Sequence, residues 1–145
     1  MGFLFKRRLL GNRRLKSYGD IFLSKVGFNV GDLEFHNFKN LVKAEENFLK
    51  AISNNASFEE GYRALYELYR YGYTSKKDQA PKILEQGITR NPHAINLMTL
   101  LASYYKDIGD KGKAIVYYNK ALTEAQSLGN QQLINSFQQE IANLK

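Results

Sequence analysis

The residues of this chain with the types for catalysis are few, and their spacing does not assemble a reactive site. Its two histidines, His36 and His93, lie far apart and neither stands in a recognised carboxylate motif. With no cysteine present, thiolate metal sites, disulfides and cysteine nucleophiles are excluded, and two histidines alone make a poor zinc site. Glu45-Glu46 and Glu59-Glu60 are adjacent pairs. Neighbours on a helix point about 100° apart, so these carboxylates read as solvated faces and not as an acid/base dyad. Gly27-Phe28-Asn29-Val30-Gly31 is followed by Asp32, where a phosphate loop needs Lys and then Ser or Thr. No enzymatic activity, cofactor, metal site or small-molecule substrate is expected.

What the charges offer instead is recognition. The formal net charge is +7, and it is unevenly placed. Residues 1–16 hold Lys6, Arg7, Arg8, Arg13, Arg14 and Lys16, while the first acid is Asp20. A basic arm on a nearly neutral remainder points to an anionic contact at one end: RNA, lipid headgroups or an acidic protein face. The arm does not segregate on a helical wheel, since Phe5 and Leu9 fall near Lys16 while Leu4 and Leu15 fall near Arg8. Its blocks of Phe3-Leu4-Phe5 and Lys6-Arg7-Arg8 suit threading along another macromolecule, cations against phosphates or carboxylates and rings in a pocket. It lacks the continuous apolar region of a secretion signal, and Ser17 is its only serine, which argues against a transit peptide. Lys6 stands where a myristoylation motif wants Ser or Thr. No stretch approaches the roughly 20 apolar residues of a membrane span. The expected location is cytoplasmic or organellar, at most peripheral to a membrane, and not secreted.

At 145 residues and 43% hydrophobic content, the chain fits one domain with a real core. Residues 1–20 form the arm. Residues 21–34 contain Gly27 and Gly31, lack a 3.6-residue period, and are expected to be a loop or extended connector. From Glu34 a helical period appears: Phe38, Leu41, Val42, Glu45, Phe48, Leu49 and Ile52 should share one face, ending near Asn54-Asn55. Ser57 and Glu60 fit a capping box for a helix running to about Tyr71 and ended by Gly72. Asp78 is the expected N-cap of the next helix, with Pro81 in its first turn. Asn91-Pro92 should cap and open a fourth helix that Gly109 stops. Asp110 should cap a fifth, running to about Ser127, and Asn130 a last one with Leu133, Phe137, Ile141 and Leu144 on one face. Six helices joined by short turns make antiparallel pairs.

Two of these pairs repeat one pattern in register. Residues 95–126 read Met98-x2-Leu101-Ala102-x2-Tyr105, then Gly109, then Ala114-x3-Tyr118-x2-Ala121. Residues 59–94 read Tyr62-x2-Leu65-Tyr66-x2-Tyr69, then Ala80-x3-Leu84-x2-Gly87, closing on Pro92. Eleven residues separate Ala51 from Tyr62, and eleven separate Gly87 from Met98. Ala44-x3-Phe48-x2-Ala51 supplies the second helix of an earlier unit. The pattern resembles the tetratricopeptide repeat (TPR), with small residues where helices approach closely and large ones in the gaps. Tyr66 is bulky for its slot. The stretch from Tyr69 to Ala80 is two residues longer than that from Tyr105 to Ala114, which resembles the related Sel1-type repeat.

The resemblance implies an all-α, TPR-like right-handed superhelix over residues 35–145: a half repeat at 35–58, repeats at 59–94 and 95–128, and a capping helix at 130–144. It implies a non-catalytic protein–protein interaction module, an adaptor, scaffold or peripheral subunit of a larger complex anchored by its N-terminal arm. The alternative is an RNA- or anionic-membrane-binding protein acting through residues 1–18. In such arrays the first helix of each pair lines the inner wall. Arg63, Glu67, Arg70, Thr99, Ser103 and Lys106 are therefore the expected concave face, and Phe3, Phe5, Lys6, Arg7, Arg8, Arg13, Arg14 and Lys16 the anchoring arm. Some TPR proteins clamp a terminal carboxylate with Lys and Asn four residues apart. Here those slots hold Arg63 and Glu67, and Glu67 would repel that ligand. Tyr104 and Tyr117 should be more exposed than their neighbours Tyr105 and Tyr118.

Overall fold

The computed structural model describes residues 24–31 and 40–145, so the anchoring-arm residues and His36 lie outside it. Among the described residues the architecture is all-α, a TPR-like helical array without strands. Residues 24–31 form α1. There follow α2 (Leu41–Asn54), α3 (Glu59–Glu67), α4 (Ala80–Arg90), α5 (Ile95–Asp107), α6 (Lys111–Ser127) and α7 (Gln131–Leu144). Each helix packs on the next, from α2 onto α3 through to α6 onto α7.

The register read from sequence places the core correctly. Ala44, Phe48, Ala51, Tyr62, Leu65, Tyr66, Tyr69, Ala80, Leu84, Met98, Leu101, Ala102, Tyr105, Ala114, Tyr118 and Ala121 are all buried. Gly87 is buried too: a Cβ there would sit 2.5 Å from Leu97 Cδ1 and 2.8 Å from Tyr62 Cγ. Tyr66 fills its slot by meeting Tyr104 edge-on across the α3–α5 seam, ring centroids 6.5 Å apart. Tyr104 and Tyr117 are half-buried where Tyr105 and Tyr118 are buried, as expected.

Several local expectations are overturned. Residues 24–31 are helical, not a loop. The two glycines that argued against a helix are what dock it: a Cβ at Gly27 would meet Asn47 O at 3.1 Å, and one at Gly31 would meet the Phe48 ring at 2.6 Å. The α2 core face is rotated from the expected one, because Ala44 and Ala51 take the buried positions while Val42 and Leu49 are exposed. Phe38 lies outside the described residues. The Ser57–Glu60 capping box does not form. Phe58 occupies the N-cap of α3, without a side-chain cap, and lies edge-on to Phe28 at 5.6 Å. Asn55 closes the turn instead, its Oδ1 accepting from Ser57 N at 3.1 Å.

Asp78 caps nothing, since it lies inside a 3-10 turn (Thr74–Gln79) that runs directly into α4. Pro81 does stand in the first turn of α4. Asn91 and Pro92 make a turn before α5 rather than its start; Asn91 Oδ1 accepts from His93 N at 3.2 Å, and Ala94 is the N-cap. Gly109 and Gly129 end their helices with φ of +81° and +65°, the left-handed region open to glycine. Asp110 and Asn130 then cap α6 and α7 through Lys113 N and Leu133 N.

The two extra residues between Tyr69 and Ala80 fit by a change of winding. α3 continues as a π-turn over Leu68–Gly72, then the 3-10 turn follows. This turn carries Lys76 back to α2, where Nζ meets Glu45 Oε1 and Oε2 at 2.5 and 2.6 Å. The Tyr69 hydroxyl donates to the same Glu45 carboxylate, and the Lys76 ammonium lies over the Tyr69 and Tyr73 rings at 5.3 and 4.9 Å. Glu45, the one polar break in the α2 pattern, is thus the half-buried acceptor of a latch.

Candidate functional site

The first helix of each pair and the capping helix, α3, α5 and α7, line a groove of about 580 Å³. Ile95 and Leu100 from α5 and Leu133 and Phe137 from α7 supply its apolar surface. Phe137 is buried; the other three are half-buried, so apolar area faces the opening. Glu59, Glu60 and Arg63 from α3, Asn96 and Thr99 from α5 and Ser136 from α7 supply the polar rim. An apolar floor with a few placed polar groups holds a side chain or a short segment, by burial for affinity and by hydrogen bonds for register.

Of the six residues expected on the concave face, Arg63 and Thr99 line this groove. Arg63 is tied to Glu67 at 2.7 Å, so its charge is answered within α3. The Thr99 hydroxyl donates to Ile95 O at 2.8 Å. Arg70 and Lys106 stand outside the groove lining and are engaged with neighbouring helices. Arg70 Nη2 meets Asp107 Oδ2 at 2.9 Å, and its guanidinium lies 4.8 Å from the Tyr104 ring centroid. With 12% of its side chain exposed, Arg70 is a packing element between α3 and α5. Lys106 Nζ meets Glu140 Oε2 at 2.7 Å, joining α5 to α7. Ser103 is half-buried beside the Tyr118 hydroxyl.

Sequence reasoning missed Glu59 and Glu60, read only as solvated faces, and Ile95, Asn96, Leu97, Leu100, Leu133, Ser136 and Phe137 as groove residues. Asn96 lies three before Thr99 and four before Leu100, a signal available from helical spacing. Leu133 and Phe137 were legible only as core positions of α7, because the groove exists only once α7 lies beside α5.

The described residues offer no metal site: no group of three or more His, Asp or Glu converges among them. His93 does have a carboxylate partner, Glu124 Oε2 at 2.8 Å, in a largely exposed pair joining the turn before α5 to α6. Glu59 and Glu60 both line the groove, and Glu59 accepts from Asn91 Nδ2 at 2.9 Å and Asn96 Nδ2 at 3.4 Å. Burial pushes the Tyr66 and Tyr105 hydroxyls up to about 12, with Glu85, which accepts from Tyr105 at 3.1 Å, adding to the second. Both hydroxyls stay protonated, and that of Tyr105, on α5, donates to Glu85 on α4. Among the described residues no helix is long and apolar enough to cross a membrane.

No curated protein matches the chain at a significant level. Residues 95–127, which hold α5 and α6, match the model of the tetratricopeptide repeat family. Together with the helical array and its register, that match supports a tetratricopeptide repeat at residues 95–127.

Proposed function

We propose that this protein is a non-catalytic protein–protein interaction module, serving as an adaptor, scaffold or peripheral subunit of a larger complex. A tetratricopeptide repeat by itself suggests protein interaction. The observation that carries the finer reading is the α3–α5–α7 groove, whose half-buried Ile95, Leu100 and Leu133 leave apolar area open beside hydrogen-bonding groups. Arg63 and Thr99 belong to that surface; Glu67 pairs with Arg63, and Arg70 and Lys106 pair with Asp107 and Glu140 outside the lining. The pairing of Arg63 with Glu67 supports the reading that the groove is not a carboxylate clamp. The Sel1-like reading of residues 59–94 rests on the longer turn after Tyr69.

The basic arm supports a second role, anchoring the module on a larger assembly. Six cations with no acid among residues 1–16 suit an acidic protein face, RNA or an anionic membrane equally. Steep salt dependence lost on neutralising Arg7, Arg8, Arg13 and Arg14 is the mark of a phosphate contact.

The test of the groove is a photo-reactive residue placed at Ser136, on its lip, and separately at Asn119, exposed on α6. Adducts to a defined protein from Ser136 and none from Asn119 are expected. Equal adducts from both positions, or adducts from Asn119 alone, would refute the assignment.

A further inference from the structure

The polar rim of the groove is unbalanced in charge. Its charged residues are Glu59, Glu60 and Arg63, and Arg63 is already matched by Glu67 at 2.7 Å. The other cations on α3 and α5 are matched as well, Arg70 by Asp107 and Lys106 by Glu140. Among the described residues no cation pairs with Glu59 or Glu60. Glu59 is held in place by the amides of Asn91 and Asn96, which fix its direction without cancelling its charge. Glu60 is exposed. Both stand in the first turn of α3, whose helix dipole offsets only about half a charge. More than one negative charge is therefore left at this end of the groove, and the polar groups that α5 and α7 contribute to the lining, Asn96, Thr99 and Ser136, are neutral.

Resting on the groove as the docking surface, we propose that its occupant is a cationic, apolar segment of another protein. Its hydrophobic side chains lie along Ile95, Leu100, Leu133 and Phe137, and its lysine or arginine meets Glu59 and Glu60. Charge complementarity selects this partner over the alternatives. A terminal carboxylate, a phosphorylated peptide or a nucleic-acid strand would bring like charge to the two glutamates.

The experiment uses the full chain and two short, amidated, fluorescein-labelled peptides, one of leucine and lysine and its twin with glutamate in place of lysine, read by fluorescence anisotropy. The lysine peptide should bind and its twin should not. Glu59→Gln with Glu60→Gln should weaken the lysine peptide about tenfold, and less as salt rises toward the molar range where the Debye length is about 3 Å. Leu133→Ser should weaken it too. Ser136→Arg, on the exposed lip and away from the core, should do so by repulsion, which covers the case in which the Leu133 variant fails to fold. Glu46→Gln with Asp78→Asn, both exposed and outside the groove, should change nothing.

An equal loss in that control pair would overturn the proposal. So would equal binding of both peptides; if binding still depended on Leu133, the groove reading would survive while its charge preference fell. Binding of either peptide that ignores both Leu133→Ser and Ser136→Arg would sink the groove reading itself. Displacement of the lysine peptide by polyuridine RNA under conditions where Leu133 matters would replace the protein partner with nucleic acid. Binding that appears only after Arg7, Arg8, Arg13 and Arg14 are neutralised would show the chain's own arm to be the occupant, and would overturn a separate partner.

Discussion

Adding a single methyl group at two glycines should move stability in opposite directions. At Gly87, on α4, a Cβ would lie 2.5 Å from Leu97 Cδ1, 2.8 Å from Tyr62 Cγ and 3.1 Å from Tyr62 Cβ. Leu97 is 1% exposed and Tyr62 4% exposed, and the Tyr62 hydroxyl is held at 3.0 Å by Ala56 O. The stem of an anchored ring has nowhere to go, so α4 must back away from α3 and α5. Overpacking of this kind costs about 2–3 kcal/mol, while the helix gains about 1 kcal/mol from Ala over Gly, which leaves Gly87→Ala destabilised by roughly 1–2 kcal/mol. At Gly112, in the first turn of α6, the nearest atom is Asp110 Oδ1 at 3.8 Å, an ordinary contact. There the helical gain stands alone, and Gly112→Ala should add about 0.5 kcal/mol. Urea titrations followed by far-ultraviolet circular dichroism, with unchanged m-values, give both numbers. A Gly87→Ala protein as stable as wild type or more so would refute the close approach, and with it the reason a glycine holds the small-residue position of this repeat.

Three other outcomes follow from the same geometry. Lys76→Met should cost about 1–2 kcal/mol by leaving Glu45 half-buried and without its cation; a double-mutant cycle with Glu45→Gln should show coupling, and strict additivity would deny the latch. Stability should be fully present below pH 10, the ordinary tyrosine value, and fall as pH rises toward about 12, because Tyr66 and Tyr105 ionise first in the unfolded chain; replacing both with Phe should flatten that fall in chemical denaturation across alkaline pH. The backbone N–H of Lys113 holds the Asp110 carboxyl below its usual range, so its contribution is present at neutral pH and lost as pH falls through the lowered value; Asp110→Asn should make the acid limb of the stability curve shallower.

The parts of this fold legible in the sequence are those set by short-range spacing. The repeat register put every small and aromatic slot of α3 through α6 where the structure has it, because close helix packing demands those sizes at those intervals. Gly109, Asp110, Gly129 and Asn130 were readable because a left-handed turn followed by an Asx cap is a local device. The failures are all cases where a tertiary contact overruled a local signal. Gly27 and Gly31 argued for a loop until α2 supplied a surface that only glycines can approach. Phe58 took the N-cap of α3 from Ser57 because its ring meets Phe28. Asp78 lost its cap when the 3-10 turn delivered Lys76 to Glu45. The concave face was half legible for the same reason: Arg63 and Thr99 follow from helical position, whereas the burial of Arg70 and the groove walls of α7 depend on neighbours one unit away.

The polar links between units share a property that reaches beyond packing. Lys76–Glu45, Asn96–Glu59, His93–Glu124, Lys106–Glu140 and Arg70–Asp107 join residues 31, 37, 31, 34 and 37 positions apart, about one repeat each. Tethers of that span couple each helix pair only to its neighbour, so the array opens from its ends by steps and not all at once. The last step belongs to α7, which is also one wall of the groove. Closing the groove on a partner and holding the final helix in place are then a single equilibrium, and amide hydrogens of residues 131–144 should exchange more slowly whenever the groove is filled.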